Sequence, residues 1–188
     1  MLIRILAFLL ETLFFVLIGS ALLRAWMNFC RVNMRAQPGR FVMAVTDWLV
    51  KPLRRVLPKA WAQSRIDWAS VVAAALLALV HAIVSTVLFS LLAGVESLTV
   101  LGPTALVSLL GFALKMLVRV ALQTTMIMVI GFAILSWVQP GSPAYSLLGR
   151  LTEPLLAPLR RVIPTLGGVD LSALVLILVL QIGLMVLG

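Results

Sequence analysis

Charge, cysteine and histidine are scarce in this sequence, and each shortage excludes something. Asp, Glu, Lys and Arg make up 11% of its 188 residues, where a soluble domain carries about 25%. That leaves too little polar surface to cover a water-soluble globule. Cys30 is the only cysteine, which excludes a disulfide framework and leaves no redox compartment to infer. With one His and one Tyr beside it, one chain cannot assemble a conventional zinc site, a Cys–His pair with an orienting group, or two haem ligands. No Gly-rich phosphate loop, G-x-S-x-G elbow or acidic metal cluster occurs. The inventory allows only a Ser–His pair, and His81 with Ser85 or Ser90 sits in no hydrolytic motif. Neither an enzyme nor a metal or cofactor carrier is expected.

What the chain has is apolar residues, 63% of the total, gathered into blocks. No charged residue falls between Trp68 and Val95, between Val120 and Gly149, or between Leu171 and Gly188. Each block reaches or approaches the roughly 20 residues that cross the hydrocarbon core as a helix. The segment from Met1 to Trp26 is too long and apolar for the h-region of a signal peptide, carries Glu11, and precedes no A-x-A-like site, so it reads as a retained helix. The fold class expected is an all-α membrane protein.

An internal repeat organises these blocks. The stretch Thr46-Asp47-Trp48-Leu49-Val50-Lys51-Pro52-Leu53-Arg54-Arg55-Val56-Leu57-Pro58 recurs as Thr152-Glu153-Pro154-Leu155-Leu156-Ala157-Pro158-Leu159-Arg160-Arg161-Val162-Ile163-Pro164, with eight of thirteen positions identical. Upstream, Arg4, Gly19 and Trp26 match Lys115, Gly131 and Trp137 within one residue, and downstream Asp67 matches Asp170. Two tandem helix–loop–helix repeats follow, residues 1–97 and 112–188, joined by a linker at 98–111. The four transmembrane helices are expected at about 2–25, 68–93, 112–137 and 170–187, with motif loops at 26–67 and 138–169. Gly102-Pro103 breaks the linker, and 104–111 reads either as a short interfacial helix or as an early start of the third span.

The formal net charge is +9, and it is unevenly placed. Twelve of the fifteen Lys and Arg lie in or beside the motif loops, leaving Arg4, Lys115 and Arg119 for the other side. The positive-inside rule then puts both motif loops in the cytoplasm and both termini opposite. Arg4, Lys115 and Arg119 are expected to snorkel to the far interface. Anionic lipid explains this charge, and since nothing resembles a nucleic-acid motif, no nucleic-acid partner is expected.

Pro52 and Pro58, and Pro158 and Pro164, bracket Leu-Arg-Arg-Val-(Leu/Ile), which suits one helical turn or a tight bend at the membrane surface. Three roles are open for Arg54, Arg55, Arg160 and Arg161: an interfacial anchor, a docking site for a partner or anionic lipid, or pairing of Arg54 or Arg160 with the nearby Asp47 or Glu153. Asp67 and Asp170, each before an apolar run, read as helix N-caps. Inside the spans, Glu11, His81, Gln123 and Gln181 fall at similar depths. They form either a polar layer lining a proton or cation path or an interhelical hydrogen-bond cluster.

The double T-[DE]-x-L-x-x-P-L-R-R-V-[LI]-P, followed by [IV]-D and in the second copy by Gly167-Gly168-Val169-Asp170, closely resembles the bacterial YggT family over nearly the whole chain. In the first copy Trp48 stands where the second has Pro154, and the Gly-Gly is missing. The resemblance implies a small inner-membrane protein, in a family associated with osmotic and potassium homeostasis and, in plastid and cyanobacterial relatives, with division and membrane-complex assembly. Two functions are therefore expected as alternatives. One is a non-enzymatic scaffold or assembly factor that engages membrane lipids and a membrane-protein partner or a second copy of itself. The other is a transport-related protein for potassium or protons.

Overall fold

The computed structural model describes residues 1–34, 36–58, 66–93, 103–162 and 171–188. Among the described residues there are six helices and no strand: α1 Leu2–Phe29, α2 Gly39–Val56, α3 Trp68–Ala93, α4 Pro103–Val138, α5 Pro143–Arg160 and α6 Leu171–Leu187. Three of them, α1, α3 and α4, are long and apolar enough to cross a membrane, and α6 is a shorter apolar helix of 17 residues. Helix α4 begins at Pro103, so the segment before residue 112 is an early start of the same helix. Proline suits a first helical position, where no backbone N–H is needed.

The main departure from expectation is in the motif segments. The first part of each motif lies on an 18-residue helix, α2 or α5, that continues through Pro52 or through Pro154 and Pro158. Helix α2 ends at Val56 and α5 at Arg160; Arg161 and Val162 form a turn, and Ile163 and Pro164 lie outside the described residues. An interior proline removes one helical hydrogen bond, at a cost of about 3 kcal/mol. All three prolines are exposed, away from the helix face that packs. In α2 the packed stripe is Gly39, Val42, Thr46 and Val50, all buried, at the spacing of one helical face. Proline weakens a helix but does not stop one whose other face is held by tertiary contacts.

Small residues bring the long helices together. Gly19, Ser20 and Ala21 on α1 and Ala73, Ala74, Ala78 and Ala82 on α3 are buried, with Phe14, Ile18, Leu77, Met116 and Val120 filling the core they share with α4. A second core joins α4 to α5 and α6 through Val129, Phe132, Leu156, Ala173, Leu176 and Leu180. Helix α4 thus belongs to both cores. The two repeats also meet at the motif end of the bundle, where Met27 and Val32 pack on Met128 and Leu151, and the Trp26 indole N–H donates to the Leu151 carbonyl at 2.8 Å.

At the start of α2 the chain turns tightly: a Cβ at Gly39 would sit 2.7 Å from backbone atoms of Met34. Backbone cannot swing away as a side-chain tip can. Gly39→Ala is expected to destabilise the protein by about 1–3 kcal/mol, read as a lower unfolding midpoint in detergent. An unchanged midpoint would contradict the tight approach.

Candidate functional site

The first repeat closes around a buried arginine. Arg24 lies near the C-terminal end of α1 and is only 5% exposed. Its Nη1 donates to the Thr46 hydroxyl and to Asp47 Oδ1, both on α2, each at 2.8 Å. Its Nε lies 3.9 Å from Asp67 Oδ2 at the foot of α3. The Asp67 carboxylate also accepts from Arg54 on α2 and from the Ser70 hydroxyl at 2.8 Å. Lys51 Nζ completes the set, 2.8 Å from Asp47 Oδ2. One clasp of charges therefore ties α1, α2 and α3 together. The hydrogen bond from Lys51, followed by those from Arg24, holds the Asp47 carboxyl below its usual range, against the opposing effect of burial.

Asp67 does stand immediately before α3, and its backbone carbonyl accepts from the Ser70 and Val71 amides. Its carboxylate serves the arginines and Ser70. Arg54 is part of the clasp, whereas Arg55 is exposed and no ion pair engages it among the described residues. In the second repeat, Arg160 bonds Glu153 at 2.7 Å and lies 6.0 Å above the Phe132 ring, and Arg161 is exposed. The register that pairs Trp26 with Trp137 puts Leu135 where the first repeat has Arg24, so α4 supplies no counterpart of the buried arginine. Pro52, Pro58 and Pro158 are exposed. Pro164 and Asp170 lie outside the described residues.

Helix α2 sorts into three faces at about 3.6 residues per turn. One is the buried stripe. A second carries Arg40, Asp47, Lys51, Arg54 and Arg55. The third carries Phe41, Trp48, Pro52 and Val56, all exposed, with Phe41 at 55% and Trp48 at 61%. An exposed aromatic stripe beside a basic one is the pattern of a helix lying at a membrane interface.

The expected polar layer is only partly assembled. Glu11 and His81 line one cavity of about 240 Å³ with Ser85, Lys115 and Arg119. The Glu11 ion pair is with Arg119, at 3.6 Å, and His81 Nε2 lies 3.3 Å from the Ser85 hydroxyl. Gln123 lines a neighbouring cavity of about 280 Å³ that also contains Glu11. Gln181 is exposed on the outer face of α6 and lines neither. Sequence spacing missed two partners. Arg24 read as one more interfacial cation, and Arg119 as a snorkelling one, because helix faces are invisible without the crossing geometry.

Two repeats, each setting an amphipathic motif helix against apolar helices, define an all-helical protein compatible with a membrane. The chain matches the CCB3/YggT family over residues 2–88 and 111–188. It is 34% identical over 178 residues to the uncharacterized protein YggT of Escherichia coli K12, spanning 94% of this chain and 86% of that protein. It is also 34% identical over 183 residues to an uncharacterized protein of Vibrio alginolyticus, spanning 97% of this chain and 92% of that one. No solved structure matches it. The chain belongs to the CCB3/YggT family.

Removing one member of a buried ion network strands its partners without solvent. Arg24→Leu is expected to cost about 3–5 kcal/mol, while Lys51→Ala, at a side chain 69% exposed, should cost less than about 1 kcal/mol. Chemical or thermal unfolding in detergent checks both, and equal effects would contradict the clasp. Because the native Asp47 pKa is depressed, its contribution is fully present above the unfolded value, about pH 4. It is lost as pH falls through the lowered native value. Wild type should therefore lose stability below about pH 4 by more than Asp47→Asn does.

Proposed function

We propose that this protein is a non-enzymatic scaffold or assembly factor of the bacterial inner membrane. In this reading α1, α3, α4 and α6 are four spans, the motif helices lie at the cytoplasmic surface, and both termini are opposite. The observation that carries the proposal is the three-faced α2. Its buried face docks on α1 and α3, its Phe41–Trp48–Val56 face enters lipid, and its basic face meets anionic headgroups or an acidic surface of a partner membrane protein. Arg40, Arg55 and Arg161, exposed and outside the described ion pairs, are among the cations left for that contact.

One feature favours this reading over conduction and another favours it over hydrolysis. The Glu11–His81 cavity is separated from the clasp by the packed layer of Phe14, Ile18, Leu77, Ala78 and Val120. A polar path through one chain would have to open that layer. The His81–Ser85 contact is what neighbours four residues apart on a helix make by default. His81 Nδ1 has no described partner to orient the ring, as nucleophilic catalysis requires.

The purified chain in proteoliposomes should pass no more potassium or protons than protein-free vesicles. Flux abolished by Glu11→Gln would overturn the scaffold reading. In a Cys30→Ser background, a spin label at Trp48→Cys should be reached by lipid-soluble oxygen. One at Arg55→Cys should be reached by a water-soluble nickel chelate. Water exposure of both would remove the interfacial placement.

A further inference from the structure

The two repeats meet through a one-sided contact. Helix α3 of the first packs on α4 of the second, whereas the exchanged pair, α6 with α1, forms no comparable packing among the described residues. A head-to-tail contact of this kind leaves each of its two surfaces spare once, at opposite ends of the pair; a self-complementary contact leaves none. Helices α1 and α4 also run in the same direction, since Phe14 shares a core with Met116, and Met27, further along α1, packs with Met128. The step from the first repeat to the second is therefore one that a further copy can take without turning over.

The spare surfaces can be located residue by residue. In the register that pairs Trp26 with Trp137, Ile18 and Ala21 of α1 correspond to Val129 and Phe132 of α4. All four are buried, in the cores that join each helix to the second apolar helix of its own repeat, so the register holds in space. The same register pairs Met116 and Val120 of α4 with Ile5 and Leu9 of α1. Met116 and Val120 are 6% and 0% exposed in the core shared with the first repeat, whereas Ile5 and Leu9 are 47% and 56% exposed. The face that α4 turns toward the first repeat is thus bare on α1.

At the other end of the chain, the register that pairs Asp67 with Asp170 matches Ala78 and Ala82 of α3 to Gln181 and Met185 of α6. The two alanines are buried in the core shared with α4, and Gln181 and Met185 are both exposed. Gln181 sets this face apart from a plain lipid-facing one. It is, with the buried Ser172, one of two polar side chains on α6. With α6 a span, which rests on the membrane reading above, its amide leaves water for hydrocarbon, an unfavourable transfer without a partner. Glutamine in an apolar helix is accordingly placed where another helix meets it. Lipid alone accounts for Ile5 and Leu9 but not for Gln181.

We propose that this protein assembles head to tail with further copies of itself. The Gln181–Met185 face of α6 in one copy packs on the Ile5–Leu9 face of α1 in the next, repeating between chains the contact that α3 and α4 make within one. Each copy offers one face of each kind, so a closed ring of copies leaves neither spare.

Cysteine cross-linking between unlike copies tests this. Full chains with different tags would be co-expressed in a Cys30→Ser background, one with Ile5→Cys and the other with Gln181→Cys, the counterparts of Met116 and Ala78. Oxidation in the native membrane should join the unlike copies, and neither variant alone should form a covalent dimer. The control is Ile5→Cys with Ile83→Cys, an exposed position on the outside of α3, which should give only the background of chance encounters. Adding Leu9→Trp should lower the yield of the test pair at least about fivefold, the effect of overpacking a contact face. A test pair no better than the control, as when lipid or another protein covers these faces, overturns the proposal. Dimers from either variant alone overturn it too. If a cysteine variant does not fold, the unaltered chain decides. Labelled with a fluorophore at Cys30, its only cysteine, and diluted until most vesicles are empty, it should bleach in two or more steps per spot. Single steps throughout overturn the proposal. Neither readout depends on where α2 lies, so the Trp48 and Arg55 labels judge the interfacial placement separately.

Discussion

The buried guanidinium of Arg24 is the constraint from which the first repeat takes its shape. A charge in an apolar setting must be paired and fully hydrogen-bonded or the structure that buries it will not persist. Arg24 therefore requires Thr46 and Asp47 from α2 and Asp67 from the foot of α3 to arrive together. Once they do, α2 is fixed in rotation. Its small and apolar stripe lies inward, Phe41 and Trp48 point outward, and Arg55 remains exposed. The exposed aromatic and basic surfaces of this helix are thus consequences of one arginine on its neighbour.

The second repeat shows what happens without it. Leu135 stands in the register of Arg24, and Glu153 is met by Arg160 of its own helix. Among the described residues, α5 is held by apolar packing, with Leu156 buried against α4 and α6 and Leu151 against Met27, Val32 and Met128. The Pro-Leu-Arg-Arg-Val core is common to both repeats, while the buried arginine on the preceding apolar helix belongs to the first alone.

Much of this was legible in the sequence, for identifiable reasons. Hydrophobic blocks of this length announce apolar helices because a single stretch of chain satisfies its own backbone in lipid only as a helix, and α1, α3 and α4 lie where those blocks fall. The repeat is visible because eight identical positions in thirteen need no structure to recognise. The motif helices were not legible. Pro52, Pro154 and Pro158 suggest breaks, and only the packed stripe on the other face shows why the helix persists through them. Nor was the site fully legible. Spacing gives depth along a helix but not rotation: Glu11 and His81 line one cavity, where Glu11 pairs with Arg119, whereas Gln181 lies on the outside of α6.

The most direct test of this account is a distance measurement across the clasp. Spin labels at Phe41→Cys on α2 and Leu13→Cys on α1, both exposed positions, would be placed in a Cys30→Ser background in lipid nanodiscs. Pulsed electron resonance should give one narrow distance distribution in the parent protein and a broad one after Arg24→Leu. An equally narrow distribution in the variant would show that α2 is held without the buried arginine, contradicting the central claim.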